Sequence, residues 1–260
     1  MRPLKFHPIL KQTLWGGERI IPYKELASGL SRVGESWELS GMPGSESVVA
    51  EGPWAGSTLS ELIGRFGAEL LGKANYARFG QEFPLLVKFI DAREDLSIQV
   101  HPDDELARKR HGKSGKCEMW YVLEAEPGAS LLTGFSRPIA PAEYERRVAD
   151  NTLTDVLNRQ AIASGDVFYL PAGRVHSIGK GSFIVEIQQS SDITYRIYDF
   201  DRRDAAGNSR ELHTELAREA IDFESSENSR ITYAPENNQE VRLVTTPYFT
   251  TLSLIHISEP

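Results

Sequence analysis

The sequence predicts a mainly β protein, built as an antiparallel β-barrel with helical insertions. Short apolar segments bounded by Gly, Pro and polar residues outnumber the segments with helical periodicity, and they concentrate at 84–123 and 167–199. Many short strands of this kind are typical of antiparallel barrels. The sequence contains no internal repeat and no low-complexity segment.

The N-terminal third of the chain changes from strands to helices and back. Residues 35–40 and 47–50 are predicted strands. Thr58 can cap a helix whose apolar residues recur every three or four positions, and a second helical piece is predicted over 67–79. The apolar segment 84–91 then predicts a buried strand.

The remaining elements are predicted in the same way. Asp103 or Asp104 can cap a short helix, and Pro141 can begin another. The predicted order is strand 96–101, helix 104–110, strands 119–123 and 131–134, a two-piece helical region 141–158, strands 167–170, 183–189 and 194–199, a loop at 201–210, a helix over 212–221, a polar linker at about 224–240, and strands over 241–254.

We expect two unequal domains. The first covers 1–235, with helical insertions at about 58–82 and 141–160, and the second is a partial β segment over 236–260. Because the chain stops at IHISEP without completing its last strands, we expect a truncated second β domain or an unrelated tail joined at about Ser253. The alternative is a natural C-terminal edge strand.

Composition limits the class of protein and its partners. With 260 residues, 40% hydrophobic and 25% charged, the chain is typical of a soluble globular protein. Its net charge of -8 disfavours nucleic-acid and anionic-membrane binding, which need a basic surface, but it leaves a small anionic substrate open. One cysteine, no apolar run of about 20 residues and no signal-peptide pattern favour a cytoplasmic protein. The sequence predicts no oligomeric state.

The segment GDVFYLPAGRVH at 165–176 carries the strongest single indication of function. A strand, a bend at Pro171 and Gly173, and His176 on the next strand would aim one imidazole into the barrel. The spacing G-x5-P-x-G-x2-H resembles the second sequence motif of the cupins, a superfamily of small metal-binding barrels. The alternative is a Pro-Gly hairpin with an incidental histidine, because short motifs also match by chance.

Four side chains form a candidate metal site. Gln99 and His101 are two positions apart on a predicted strand and therefore share one face. Glu118 stands at the start of another strand, and His176 follows the bend. Two imidazoles, a carboxylate and an amide oxygen suit zinc, and also iron, cobalt or manganese. Gln99 is the weakest of the four because amide ligands are uncommon, and Gln99 and His101 can alternatively form hydrogen bonds inside the barrel.

Four ordered motifs and two shorter matches strengthen this interpretation. They are LWGG at 14–17, ESWE at 35–38, IQVHPDD at 98–104, GKCEMWYV at 115–122, the segment at 165–176, and VEIQQSSDITYRIYD at 185–199. Together, over residues 1 to about 225, they resemble the type I mannose-6-phosphate isomerases in their short bacterial form, a branch of the cupin superfamily.

The resemblance implies a cupin-like jelly roll that interconverts mannose 6-phosphate and fructose 6-phosphate, so the substrate is a phosphorylated hexose. It implies a zinc site formed by Gln99, His101, Glu118 and His176. It also places Lys116, Glu186 and Arg196 in the active-site cleft.

The three cleft residues suit different parts of such a reaction. Arg196 stays protonated and can stabilise an enediolate or pair with phosphate. Lys116 lies two residues before Glu118 and can relay a proton or bind phosphate. Glu186 can act as the base, or it can position His176 or Lys116.

Other polar residues are expected to be structural. We expect Asp192 and Asp199 to hold Arg196 by ion pairs. Cys117 should point away from the metal site, because it neighbours Glu118 on a strand.

Two other functions stay open. The first is a non-catalytic cupin that binds a metal and a sugar, and the presence of Lys116, Glu186 and Arg196 argues against it. The second is an iron-dependent cupin oxygenase, because two histidines and one carboxylate also form that metal triad. No residue favours the oxygenase.

Overall fold

The computed structural model describes residues 3–204, 206–224 and 228–254. Within them the strands are β1 (Ile9–Gly17), β2 (Val33–Met42), β3 (Ser45–Glu46), β4 (Leu85–Ala92), β5 (Ile98–Val100), β6 (Glu118–Ala125), β7 (Ser130–Phe135), β8 (Leu157–Ala161), β9 (Val167–Leu170), β10 (His176–Ile178), β11 (Ser182–Gln189), β12 (Tyr195–Tyr198), β13 (Arg230–Ile231), β14 (Glu240–Thr245) and β15 (Thr250–Leu254). The helices are α1 (Ile20–Tyr23), α2 (Leu59–Phe66), α3 (Ala68–Leu71), α4 (Lys73–Phe79), α5 (Asp104–His111), α6 (Pro141–Ala149) and α7 (Thr214–Ala220), and a 3-10 turn spans Leu153–Val156.

Two antiparallel sheets carry the fold. Eight strands pair in the order β13-β9-β6-β11-β4-β1-β2-β3, and five pair in the order β12-β5-β10-β7-β8. Strands β14 and β15 form a separate hairpin. The mainly β, cupin-like antiparallel fold is confirmed, although the two sheets stay separate instead of closing into one barrel.

One apolar core lies between the two sheets, and a larger one lies on the other face of the five-stranded sheet. Trp120 and Phe168 of the eight-stranded sheet pack with Leu131 and Ile178 of the five-stranded sheet. Helices α5, α6 and α7 cover the other face of the five-stranded sheet. Since apolar side chains line the space between the sheets, a charged residue pointing into it needs a partner there.

Helix α2 begins at the predicted cap. Thr58 Oγ1 accepts a hydrogen bond from the Glu61 N–H, and the Glu61 carboxylate accepts one from the Thr58 N–H. This reciprocal pair satisfies two backbone donors at the start of the helix. The second predicted helical piece is divided at Gly72 into α3 and α4.

Replacing Thr58 by Ala is expected to lower the free energy of unfolding by about 1 kcal/mol, because one helix N–H loses its acceptor. For a chain of this size the melting temperature falls by about 2–4 °C. Thr58→Ser keeps the hydroxyl and is the matched control in urea and thermal unfolding. Equal losses in both variants would contradict the capping role.

Several elements differ from the prediction. Strand β1 is not evident in the sequence because its pairing with β2 shifts register twice, so its side chains do not alternate regularly. The two-piece helical region predicted over 141–158 consists of α6 and the 3-10 turn and ends at Val156, after which β8 begins. In the described residues, the strand expected over 47–50 reduces to isolated bridges at Val48 and Val49. Strand β13 lies inside the predicted linker and pairs with β9.

The C-terminal hairpin packs against the outer face of the eight-stranded sheet. Leu243 and Phe249 share a buried cluster with Met119 of β6 and with Cys117, which precedes that strand. The domain boundary after residue 235 stays a prediction, and most of the expected foreign tail lies outside the described residues. Across the part of the chain that is described, no helix has both the length and the apolar character needed to span a bilayer.

Candidate metal centre and cleft

The five-stranded sheet places three polar side chains in one row. The strand register pairs Arg196 of β12 with Gln99 of β5, and Gln99 with His176 of β10. Partners in neighbouring strands project to the same face of a sheet. His101 lies two positions after Gln99 and joins that face. Both histidines are buried.

The bend before His176 depends on a glycine. Gly173 has a φ of 85°, in the left-handed region that other residues rarely adopt. A Cβ at this position would lie 3.0 Å from the Ala220 carbonyl oxygen. The Gly173 N–H donates to the His101 carbonyl at 2.9 Å, so the bend ties the two histidine-bearing segments together.

The eight-stranded sheet presents charged residues to this row. Its register aligns Lys88 of β4, Glu186 of β11 and Trp120 of β6. Lys88 Nζ lies 2.9 Å from Glu186 Oε1, and Trp120 Nε1 donates to Glu186 Oε2 at 2.7 Å. Glu118 precedes Trp120 by two positions on β6 and therefore shares its face.

His101, Glu118 and His176 meet between the sheets and are positioned to bind a metal ion. One ligand atom from each lies within 4.8 Å of the others. Glu118 Oε1 is 3.2 Å from His176 Nε2, and Glu118 Oε2 is 3.5 Å from His101 Nε2. Donor atoms held about 2.0–2.2 Å from a tetrahedral ion are about 3.3–3.6 Å apart, and the two contacts of Glu118 are close to that spacing. Within the described residues, buried Glu118 Oε1 has no hydrogen-bond donor while Oε2 contacts the Lys116 ammonium, so a metal ion would supply the partner that Oε1 lacks.

Both imidazoles have the tautomer that a metal site needs. His101 Nδ1 is 2.8 Å from the Ile193 carbonyl oxygen, and His176 Nδ1 is 2.8 Å from the Arg174 carbonyl oxygen. Because a carbonyl only accepts, each Nδ1 carries the proton and each Nε2 presents a lone pair. Burial lowers the pKa of both histidines, and with the nearby Lys116 ammonium it brings that of His101 to about 3. Both rings are therefore neutral at neutral pH.

Gln99 lies beside these three residues. Its Nε2 is 3.3 Å from His176 Nε2, and its Oε1 accepts from Ser97 Oγ at 3.3 Å. A half-turn of the amide exchanges the oxygen and the nitrogen and turns the oxygen towards His176 Nε2. The position suits a fourth ligand atom.

Lys116 lies between the metal site and the charged residues of the eight-stranded sheet. Its Nζ lies 2.8 Å from Glu118 Oε2, 3.1 Å from His101 Nε2 and 3.9 Å from Glu186 Oε1. Burial acts to raise the pKa of Glu118, but the Lys116 ammonium holds it well below its ordinary value. Glu118 is therefore an anion at neutral pH, the form that binds a metal.

Two charged residues of the site are not evident from the sequence. Glu35 Oε2 is 3.7 Å from Lys88 Nζ and accepts from Trp37 Nε1 at 2.6 Å. Burial opposes both charges, yet Glu186 and Glu35 raise the pKa of Lys88, and Lys88 lowers the pKa of Glu35. A lysine in the middle of the apolar segment 84–91 is the one signal that points to a buried ion pair.

Gln99 and Lys116, which contact the metal site, line a cleft of about 630 Å³. Its charged lining residues are Arg32, Glu35, Lys88, Lys116, Glu186, Arg196 and Arg210. Five cationic groups against two carboxylates favour an anionic ligand. The size suits a small molecule.

The predicted ion pairs of Arg196 are wrong. Asp199 pairs with Arg210, and Asp192 pairs with Lys113 at 3.0 Å. Closeness in sequence does not bring these acids to Arg196. Adjacent side chains on a strand point to opposite faces, and whether residues further apart come into contact depends on the turn that follows the strand.

Arg196 is held by the segment after its strand. Its Nη1 donates to the Glu211 carbonyl at 2.9 Å, and its backbone N–H donates to His213 Nδ1 at 3.1 Å. Burial lowers the pKa of Arg196, and neighbouring Arg210 contributes. A guanidinium stays charged through such a shift.

Two predictions about neighbouring residues can be compared with the structure. Asp103 caps α5 by accepting from the Leu106 N–H at 2.8 Å, as predicted. Asp104 is not a cap, since it bonds to Gly115 in the following loop. Cys117 is buried in the outer-face cluster, away from the metal site, as predicted.

Comparison with known proteins assigns the chain to a family. The family model for the catalytic domain of type I phosphomannose isomerase matches residues 4–134, which include Gln99, His101 and Glu118. ManA of Bacillus subtilis, a mannose-6-phosphate isomerase, is 39% identical over 224 residues, covering 86% of this chain and 69% of ManA. The chain belongs to the type I phosphomannose isomerase family.

Two further mannose-6-phosphate isomerases match this chain over more of its length. The mannose-6-phosphate isomerase of Streptococcus mutans is 37% identical over 251 residues, 95% of this chain and 77% of that protein. The crystal structure of the Bacillus subtilis mannose 6-phosphate isomerase superimposes with a TM-score of 0.88 and 33% identity, covering 97% of this chain and 79% of the other. The resemblance carried by the sequence motifs is confirmed.

Proposed function

We propose that this chain interconverts mannose 6-phosphate and fructose 6-phosphate with one divalent metal ion, held by Gln99, His101, Glu118 and His176. The observation that carries the proposal is the convergence of His101, Glu118 and His176 beside Gln99 and Lys116, which line a cleft whose charged residues are mostly cations. The relatives named above are mannose-6-phosphate isomerases. A phosphorylated hexose is a small anion and suits such a cleft.

Zinc is the proposed metal. Two neutral imidazoles and a carboxylate are a common zinc ligand set, and an amide oxygen completes four-coordination. When bound, the metal supplies Lewis acidity that stabilises negative charge on the substrate oxygens. The same residues accept iron, cobalt or manganese, which metal analysis distinguishes.

Lys116 is the proposed proton-transfer residue. Isomerisation of the aldose moves a proton from C2 to C1 and the hydroxyl proton from O2 to O1, which leaves the carbonyl at C2. Glu186 contacts Trp120 through one oxygen and Lys88 through the other, which supports a positioning role. Lys116 Nζ lines the cleft within 2.8 Å of the ligand Glu118, which supports it as the group that moves the proton.

Arg196 is the proposed site of charge stabilisation. Its guanidinium lines the cleft beside Arg210, with Arg32 also in the lining. It can pair with the substrate phosphate or stabilise the enediolate, and both roles need a permanent cation with directed N–H donors. The cytoplasmic location and the lack of nucleic-acid partners stay predictions.

Chelation of the metal is expected to remove turnover of mannose 6-phosphate. The purified protein should contain about one divalent ion per chain, and activity should return when zinc is added back. Metal content and turnover are measured on the same sample. Full activity after exhaustive removal of the metal would contradict the proposal.

The same sample distinguishes the alternatives. Binding of a sugar phosphate without product after long incubation would favour a non-catalytic metal- and sugar-binding cupin. Oxygen uptake by the iron-loaded protein would favour a cupin oxygenase.

A further inference from the structure

We propose that the C-terminal hairpin positions the loop that carries Lys116, and that Tyr248 is the residue through which it acts. This inference rests on the proposed isomerase function. The loop, residues 112–117, connects α5 to β6 and brings Lys116 to the cleft and Glu118 to the metal site.

Asp104 joins the hairpin, the loop and the eight-stranded sheet. Its Oδ1 accepts from the Gly115 N–H at 2.8 Å and from Gln189 Nε2 at 3.0 Å. Its Oδ2 accepts from the Tyr248 hydroxyl at 2.9 Å. Burial acts to raise the pKa of Asp104, but these donors hold it below its ordinary value. The carboxylate is thus a charged acceptor shared by three segments.

The loop is fixed on both sides of Lys116. The Cys117 N–H donates to Gln189 Oε1 at 2.8 Å, and the Lys116 N–H donates to the Pro102 carbonyl at 3.1 Å. Gly115 lies so close to the start of α5 that a Cβ would come within 2.5 Å of a backbone carbon. The backbone around Lys116 is therefore fixed in part by Asp104, directly through Gly115 and indirectly through Gln189, which binds both Asp104 and Cys117.

The hairpin packs against the loop and the start of β6 on the outer face of the eight-stranded sheet. Phe249 and Leu243 are buried in the cluster that contains Cys117 and Met119, and Tyr248 packs against the same cluster. The Tyr248 ring therefore keeps its packing when the hydroxyl is removed. Oδ2 of Asp104 then loses its hairpin donor, and the loop is less firmly held. Small displacements of a proton-transfer group lower kcat more than they change substrate binding.

The test compares Tyr248→Phe with Tyr233→Phe. Tyr233 packs in the same cluster, but its hydroxyl donates to the Gly165 carbonyl at 2.7 Å. We expect Tyr248→Phe to lower kcat about three- to tenfold, with KM and metal content within about twofold of the starting protein. Tyr233→Phe should keep kcat within about twofold.

Amide hydrogen exchange of residues 112–117 gives a readout that is independent of activity. We expect exchange at Gly115 and Cys117 to become at least about fivefold faster in Tyr248→Phe and to stay unchanged in Tyr233→Phe. Asp104→Asn, which weakens the same acceptor, should reproduce both the lower kcat and the faster exchange.

Unchanged kcat and unchanged exchange in Tyr248→Phe would overturn the proposal. So would equal losses of kcat in the two tyrosine variants, since these would reflect general stability. If the starting protein lacks turnover, the isomerase proposal fails, while the exchange measurement still decides whether Tyr248 holds the loop.

Discussion

Replacing His176 by Ala abolishes stoichiometric metal binding and lowers kcat/KM for mannose 6-phosphate by at least about a thousandfold. The substitution removes the ligand atom that lies 3.2 Å from Glu118 Oε1. A loss of this size corresponds to about 4 kcal/mol of transition-state stabilisation, within the range that a bound metal supplies. Metal analysis and steady-state kinetics measure the two effects together.

His111→Ala is the matched control for this substitution. His111 is exposed, and its ring contacts the Tyr195 hydroxyl at 2.8 Å, outside the metal site. The control should retain the metal and keep kcat/KM within about twofold. A metal-loaded, active His176→Ala protein would remove His176 from the proposed ligand set.

Replacing Arg196 by Ala leaves the metal content unchanged but lowers kcat/KM by about a hundred- to a thousandfold. The guanidinium lines the cleft, and its backbone is held by His213, so the substitution removes charge without removing a ligand. A loss mainly in kcat would assign Arg196 to the enediolate. A loss mainly in KM would assign it to the phosphate.

Arg137→Ala is the control for the loss of one arginine. Arg137 is exposed and pairs with Glu143 at 2.7 Å. This variant should keep normal turnover. Near-normal turnover of Arg196→Ala would show that its guanidinium is not needed by the reaction.

The candidate metal ligands can be predicted from local sequence patterns. Gln99 and His101 share a face because a strand alternates, and the Pro-Gly bend aims His176 at the same space. The start of β6 at Glu118 follows from the apolar residues after it. The motifs that resemble a known family then select one set of ligands from several chemically reasonable ones.

The charged residues opposite the ligands depend on long-range register and cannot be predicted in this way. Glu35 and Lys88 meet because β2 pairs with β4 so that Glu35 faces Ile90 and Trp37 faces Lys88, which makes Glu35 and Lys88 diagonal neighbours. Asp199 pairs with Arg210 instead of Arg196 because the chain turns back after β12. These contacts become visible only when the neighbouring strands are known.

Local patterns also fail where elements are short or irregular. Strand β8 follows a helix and a 3-10 turn without a clear alternation of apolar residues, so the sequence does not indicate it. Asp104 has the residue type of a cap, but its partners Gln189 and Tyr248 come from distant strands and from the hairpin. Capping propensity reflects only interactions with nearby backbone N–H groups, so it does not predict these distant partners.

Titration of metal-depleted protein with zinc, followed by turnover of mannose 6-phosphate, most directly tests whether one bound cation makes this chain an isomerase. We predict that activity rises linearly and stops rising at about one equivalent, and that Glu118→Gln shows no such rise, because its carboxylate is the only anionic group among the proposed ligands. Activity that is independent of added zinc, or an equal rise in Glu118→Gln, would contradict the account.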